Sequence, residues 1–486
     1  MVDAWVAYVC LVATLLAVAA YAVYVTYLTP VQSVTTYISA KKTQTPLVLG
    51  WCMFSSSMGS WALFSFPDTA AQVGTWGLVG YWLSVVLGYA VLALAGPAIS
   101  DMLGDGITLS DYAARRFGIP QQLYVALISI FYQLISISAE LTAIGSLMSL
   151  LAPDTHTLVS VVLVSVVTCF YTLFGGIKAS IATDAVKGGF ILILIIVVCI
   201  AMFTSVHIPS GSWAETGVAN LTVVGFEAVI TLVVAVVSSN LFLTGFWLRT
   251  FSAKTPRDLH KSCAFAAIAA TPFIVLLGIT GMIGKILHPD ATDSYFFQIL
   301  LNMNEAWSIV VLIVIAALVS STADTIQTGM SAEILTNFQS LTLTQARIIS
   351  VFINIPAIAI AMTNTSVLQL FLIADLLCAA TVGPIFLGLW DRCHSKAVII
   401  GCVSGLLTIF VCGWARQGDF VDGFREFVLA EGPFTEHSMI LFLCALFVPV
   451  LVTVGISLLL KPEPRKAPLL QSPKGSFAEA KSPQLV

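Results

Sequence analysis

Thirteen apolar runs of membrane-spanning length follow one another along the 486 residues of this chain. A helix needs about 20 mostly apolar residues to cross a bilayer, and a lipid-exposed backbone must satisfy its hydrogen bonds within the segment. Only 9% of the residues are charged, against about 25% in a soluble domain. We therefore predict an all-α membrane protein with spans at about 5–28, 47–73, 76–103, 120–151, 157–175, 185–207, 221–250, 262–287, 305–335, 345–363, 367–390, 396–415 and 438–460.

The basic residues support both the number of spans and their orientation. If the N-terminus lies outside, eighteen of the twenty-one Lys and Arg fall on the cytoplasmic side, as the positive-inside rule requires. We predict an outside N-terminus and a cytoplasmic C-terminal tail, in what we expect to be the plasma membrane. Residues 107–118 are predicted as a short amphipathic helix, and the polar, proline-rich residues 461–486 as a disordered tail.

A cluster of small polar residues interrupts the second run, with the sequence SSSMGSW at 55–61. The serine hydroxyls and Gly59 lower the cost of a non-helical turn inside the membrane. Small residues also allow helices to pack closely, so this cluster alone does not establish a broken helix.

A second interruption, SSNLFLTGFW at 238–247, lies five spans after the first. Many secondary transporters consist of two inverted repeats of five helices, and paired interruptions at corresponding positions indicate the binding site. The matched spacing favours two broken helices that meet near the middle of the bilayer. Trp61 and Phe242, the aromatic residues closest to the breaks, are predicted to cover a bound solute.

A third polar cluster, AALVSSTADTIQTG at 316–329, offers oxygen atoms to an ion. Sodium is a hard cation that is bound by several oxygens, and hydroxyl and carbonyl oxygens supply them without a buried net charge. A broken helix frees backbone carbonyls for the same purpose. We predict a sodium site formed by the carbonyls of Ser55, Met58 and Ala317 and the hydroxyls of Ser320 and Ser321.

These segments resemble the sodium:solute symporter family, which has the five-plus-five inverted-repeat fold of the leucine transporter. The resemblance covers about residues 5–415 and is carried by five motifs. These are YTLFGGIKASIATDAVKGG (171–189), AALVSS (316–321), LSDYAARRFG (109–118), SSSMGSW (55–61) and GFWLRTFSAK (245–254). The implied organisation is one transporter domain over 1–460, with an extra helix at 5–28, repeats at 47–207 and 221–390, and two extra helices within 396–460.

The resemblance implies the same sodium site and adds further functional residues. Ser57 and Asn240, at the two breaks, are expected to contact the solute, and Asp184 is expected on the cytoplasmic exit path of the ion. The solute stays open among urea, an amino acid, a sugar and others. Phe242-Leu243 replaces an aromatic pair of sugar-carrying relatives, Ser57 replaces an aspartate of proline-carrying relatives, and Trp247-x-Arg249 is similar to urea-carrying relatives.

Three acidic residues lie within predicted spans, where a buried charge is costly and indicates function. Asp324, one turn after Ser321, either tunes the ion site or lies in cytoplasmic water. Glu140 either carries a coupling proton or makes a structural hydrogen bond to a neighbouring helix. Asp375, which precedes a Gly-Pro pair, is expected to support the structure or the transport step.

The leading hypothesis is sodium-coupled symport of a small polar organic solute by alternating access, without an organic cofactor. The alternatives are a proton-coupled permease, with Glu140 or Asp375 as the proton carrier, and a non-transporting nutrient sensor. The chain lacks phosphate-binding, nucleophile-elbow and HExxH motifs, so we expect neither an enzyme nor a metal site other than sodium. Topology accounts for the basic residues, so no nucleic-acid partner is expected, and the oligomeric state stays open.

Overall fold

The computed structural model describes residues 2–28, 38–104, 106–338, 340–363, 365–429, 432, 434–461 and 463. In this part of the chain the regular elements are helices, as the apolar runs predict, and the sole β feature is an isolated bridge. The α-helices are α1 Ala4–Leu28, α2 Pro46–Ser57, α3 Ala62–Val73, α4 Thr75–Leu103, α5 Leu109–Arg116, α6 Ile119–Leu151, α7 Thr157–Leu173, α8 Gly175–Ser205, α9 Ser212–Thr216, α10 Val223–Asn240, α11 Thr244–Thr250, α12 Pro256–Leu287, α13 Tyr295–Leu301, α14 Glu305–Asn337, α15 Leu343–Ala361, α16 Val367–Phe386, α17 Ser395–Gln417, α18 Phe420–Arg425 and α19 Glu436–Leu459.

Fewer than thirteen of the described helices have the length and hydropathy of a membrane span. Among the described residues, ten helices are long and apolar enough to cross a membrane, and the bent pair α2–α3 makes an eleventh. The runs at 157–175 and 345–363 correspond to the shorter apolar helices α7 and α15. The all-α membrane fold is confirmed, while the count of thirteen stays a prediction.

Gly176, the second residue of α8, marks a kink between α7 and α8. Its backbone has φ 59° and ψ −166°, a region that is essentially restricted to glycine. The run predicted at 185–207 therefore begins ten residues earlier, at Gly175. The kink places the polar residues at the start of α8 beside the core instead of in a loop.

The first predicted break is present between α2 and α3, which meet at an angle of 66°. Met58 has an extended backbone with φ −103° and ψ 97°, so the helical hydrogen-bond pattern stops there. It resumes as a tight turn in which the N–H of Ala62 donates to the carbonyl of Gly59.

The second predicted break lies between α10 and α11, at residues 241–243. The indole N–H of Trp247 donates to the carbonyl of Leu241 at 2.7 Å, so a side chain replaces a backbone donor that the break removes. The chain after α11 also meets the chain before α2, because the N–H groups of Thr43 and Gln44 both donate to the Ser252 carbonyl at 3.0 Å. The two broken helices are thus joined at one end.

Helix α14 is the most enclosed of the long helices and passes both breaks. It packs against α6, α8 and α11, and nearly all its residues from Val314 to Leu335 are buried. Its polar residues therefore face other helices and not lipid.

The remaining predictions about organisation have different outcomes. The short amphipathic helix is confirmed as α5, which begins with a capping box made by Thr108 and Asp111. The predicted tail at 461–486 lies almost wholly outside the described residues. The repeat boundaries stay predictions.

Candidate functional site

Two residues of the predicted sodium site lie in direct contact, one at the end of α2 and one on α14. The hydroxyl oxygens of Ser55 and Ser321 lie 2.8 Å apart, and both side chains are fully buried. Ser321 also donates its single hydroxyl hydrogen to Asp184 Oδ1 at 2.6 Å. Ser55 must therefore donate to Ser321, and a chain of hydrogen bonds runs from the break to α8.

The other predicted ligands lie around this contact. The Ser320 hydroxyl donates to the Ala317 carbonyl at 2.8 Å, and the Ser320 carbonyl accepts from the Tyr171 hydroxyl. Met58 is buried at the break. Its carbonyl and that of Ser55 accept no hydrogen bond from a described residue, so both are available to an ion. The predicted ligands are thus uncharged oxygens of α2, the first break and α14.

Asp184 forms ion pairs with two basic side chains beside the predicted sodium ligands. Its Oδ2 accepts from Arg249 Nη2 at 2.6 Å, and its Oδ1 lies 3.1 Å from Lys187 Nζ. The carboxylate of Asp184 and the guanidinium of Arg249 are fully shielded from solvent. The position next to Ser321 agrees with a place on the ion's exit path, which stays a proposal.

Arg249 connects the second broken helix to the ion site. Besides Asp184, its guanidinium donates to the Ser180 hydroxyl at 2.8 Å, the Thr325 hydroxyl at 2.7 Å and the Gly245 carbonyl at 3.1 Å. Its Nε donates to Cys52 Sγ at 3.1 Å. One side chain on α11 thereby contacts α2, α8 and α14.

A cavity lies between the two breaks. It is lined by residues of α2, α4, α6, α10, α11, α14 and α16 together with residues of both breaks. The lining includes three predicted solute contacts, two predicted acids and a threonine of α14: Ser57, Trp61, Asn240, Glu140, Asp375 and Thr322.

Three of the four predicted solute residues line this cavity. The Ser57 hydroxyl is also close to the hydroxyl of Tyr89. Phe242 is different, because its side chain is fully buried and is not among the lining residues. Leu243 and Phe246 of the same segment line the cavity instead, since the break turns Phe242 into the packed interior.

Glu140 binds the first break directly. Its Oε2 accepts from the backbone N–H of Ser60 at 2.9 Å and from the Ser60 hydroxyl. The carboxylate thus lies at the N-terminal end of α3, where free N–H groups attract negative charge. Glu140 therefore makes a structural hydrogen bond to a neighbouring helix, which is one of the two interpretations of its sequence position.

Asp324 and Asp375 are both buried, with 1% and 3% of their surface exposed. Asp324 faces the hydroxyls of Thr183 and Thr328 at 3.5 and 3.4 Å, so it lies inside the protein and not in cytoplasmic water. Asp375 lines the cavity, and its Oδ1 has no hydrogen-bond partner among the described residues.

The sequence reasoning missed the contacts of Arg249 and Lys187. In the sequence, Arg249 is part of the Trp247-x-Arg249 pattern and Lys187 is part of the motif at 171–189. A charged residue at the edge of an apolar run is itself a signal, and Asp184 precedes Lys187 by three residues on the same helix. The pairing of Arg249 with Asp184, which lies on another helix, is not visible in the sequence.

A comparison with protein families matches residues 37–405 to the sodium:solute symporter family. A spermidine transporter of Candida albicans is 29% identical over 399 residues, which cover 79% of this chain and 76% of that protein. A sodium/proline symporter of Staphylococcus aureus is 24% identical over 182 residues, which cover 36% of this chain and 35% of that protein.

Solved structures of transporters share the fold. A Na⁺-coupled sialic acid symporter superposes with a TM-score of 0.73 at 15% identity, covering 94% of this chain and 98% of that chain. Mhp1, a nucleobase-cation-symport-1 family transporter, has a TM-score of 0.56 at 14% identity and covers 87% and 95%. The family match covers most of the chain. This chain therefore belongs to the sodium:solute symporter family and is a membrane protein that carries out sodium-coupled symport of a solute.

Proposed function

We propose that Na⁺ binds where α2 and α14 meet, and that the solute binds in the adjacent cavity between the two breaks. The contact between Ser55 and Ser321 carries this proposal, because it joins the broken helix to the hydroxyl-bearing helix at 2.8 Å. The free carbonyls of Ser55 and Met58, the Ala317 carbonyl and the hydroxyls of Ser320 and Ser321 are the proposed ligands.

Coupling follows from the shared first break. An ion that bridges α2 and α14 holds the break in one arrangement, and Ser57 and Trp61 of the same break line the solute cavity. A ligand at either site therefore favours the arrangement that the other site needs, and this reciprocity is a coupling free energy. One charge that crosses 100 mV supplies about 2.3 kcal/mol, or about fiftyfold accumulation.

The test is uptake into proteoliposomes that contain the purified protein, with an inward Na⁺ gradient and with equal Na⁺ on both sides. The names of the relatives make spermidine and proline the first solutes to screen, followed by urea and a sugar. We expect accumulation of one solute class only with the gradient. Uptake that follows a pH gradient and ignores Na⁺ would support the proton-coupled alternative, and binding without accumulation would support the sensor.

The direction of transport rests on the proposed topology. We propose residence in the plasma membrane with the N-terminus outside, so that solute enters the cytoplasm together with Na⁺. Protease accessibility of a tag at each terminus, in intact and permeabilised cells, tests this orientation.

A further inference from the structure

The two carboxylates of the cavity have no cationic partner among the described residues. Asp184, outside the cavity, is neutralised by Arg249 and Lys187. No ion pair between described residues involves Glu140 or Asp375, although both line the cavity and are buried. A buried carboxylate without a cation is expensive, so a positive charge from a ligand would be strongly favoured here.

Glu140 is already used by the protein. Its carboxylate accepts the N–H and hydroxyl of Ser60 at the start of the second half of the broken helix. The carboxylate also lies so close to the backbone of Gly59 that a Cβ atom there would be 1.7 Å from Glu140 Oε1. Glu140 therefore stabilises the break and is only a secondary contact for a solute.

Asp375 is the cavity carboxylate that has an oxygen available for a ligand. Its Oδ1 has no hydrogen-bond partner in the described part of the chain, and the Ser239 hydroxyl is the polar group beside it. The side chain lies on α16, which packs against α10, and is 3% exposed. An acceptor atom that is buried, unpaired and at the cavity wall indicates a missing donor.

The cavity walls distinguish an organic cation from a second Na⁺. Five aromatic rings line the cavity along with Asp375: Trp61, Tyr81, Tyr132, Phe246 and Phe371. Aromatic faces attract ammonium groups and also bury the alkyl part of such a solute. A bare Na⁺ instead requires a shell of oxygens, which the contact between Ser55 and Ser321 supplies better.

We infer that the cavity binds an alkylammonium solute, an amine or polyamine, with Asp375 as the counter-ion of one ammonium group. The alkyl chain lies against the aromatic rings, and a second ammonium group, where present, lies toward Glu140. This inference rests on the proposed function, because it names the class of solute that the symporter carries.

The test begins with competition against bound radiolabelled spermidine in purified protein at fixed Na⁺. The competitors are butylamine and putrescine as amines, urea and glucose as neutral solutes, and proline as a zwitterion. We expect the amines to compete and the neutral solutes and proline to fail. This arm needs no variant, so it does not depend on whether a substitution folds.

The second arm compares Asp375→Asn, which removes the charge at constant size, with Asp375→Glu, which keeps it. Because D375N loses a charge-assisted hydrogen bond, we expect it to bind amines at least about tenfold more weakly than the wild type. D375E should retain part of the amine affinity. The Na⁺ concentration that half-saturates a Na⁺-dependent thermal shift should stay close to that of the wild type in both. Thermal unfolding without ligand checks that each variant is folded.

The outcomes separate this inference from the proposed function. If a neutral or zwitterionic solute accumulates with Na⁺ while amines neither compete nor accumulate, symport stands and the cation site is wrong. If D375N binds amines like the wild type, or changes only the Na⁺ response, Asp375 is not the counter-ion. If amine binding depends on Asp375 but uptake ignores the Na⁺ gradient, the cation site stands and sodium coupling fails.

Discussion

Arg249 and Asp184 form an ion pair from which solvent is fully excluded, with 2.6 Å between Nη2 and Oδ2. Asp184 in turn accepts from Ser321, which contacts Ser55 at the first break. The second broken helix is thereby connected to the predicted sodium ligands through three successive side-chain contacts. A change at the ion site can therefore reach α11 without passing through the solute cavity.

Replacing Arg249 by Met should strongly destabilise the protein. Breaking a buried ion pair by removing one partner costs about 3–5 kcal/mol, because the other charge is left in a poorly solvated place. Thermal unfolding in detergent should show a melting temperature several degrees lower. Arg249→Met combined with Asp184→Asn should recover part of the loss.

The matched control for this prediction is Arg257→Met, since Arg257 is exposed in the first turn of the long helix α12. It should leave the melting temperature unchanged. Equal melting temperatures for R249M and R257M would contradict the structural role given to the buried pair.

Ser321→Ala should weaken the response to Na⁺ more than the binding of solute. The substitution removes a proposed ion ligand and also the hydrogen bonds to Ser55 and Asp184. A loss of about 1–2 kcal/mol corresponds to a 5- to 30-fold higher Na⁺ concentration for half-maximal uptake. Ser404→Ala, whose hydroxyl donates within α17 to the Gly401 carbonyl, is the control and should leave the Na⁺ dependence as it is.

Gly59→Ala should abolish transport and lower stability, because the break has no room for a side chain. An added Cβ would lie 1.7 Å from Glu140 Oε1 and 2.5 Å from Trp61 Cδ1. Both neighbours would have to move, and both belong to the proposed solute site. Gly189→Ala provides the control, since nothing lies within 4 Å of its added Cβ. Normal uptake by G59A would mean that the break rearranges freely.

Gly176→Ala should destabilise the kink between α7 and α8. The backbone at φ 59° and ψ −166° is strained for any residue with a Cβ, at a cost of about 1–3 kcal/mol. The kink positions the start of α8, including Ser180 and Asp184, against Arg249. We expect a lower melting temperature for G176A than for G189A, measured side by side; the reverse order would argue against the kink.

The positions of the two breaks could be predicted from two polar clusters and the matched spacing between them. Serines, Gly59 and Asn240 weaken a helix wherever it lies in the fold, so their effect does not depend on distant partners. The pairing of Ser55 with Ser321 was also predictable, because the repeat spacing and the family motifs specify which helices meet. The all-α membrane fold follows from hydropathy alone, because lipid leaves the backbone few alternatives.

Only the tertiary structure decided which polar side chains meet and which face the cavity. Arg249 and Asp184 are 65 residues apart, and a small rotation of either helix about its axis would separate them. For the same reason the side chain of Phe242 lies in the packed interior, while Asp375 lines the cavity with an unpaired oxygen. Sequence determines where a helix weakens, whereas helix rotation and packing determine what each side chain contacts.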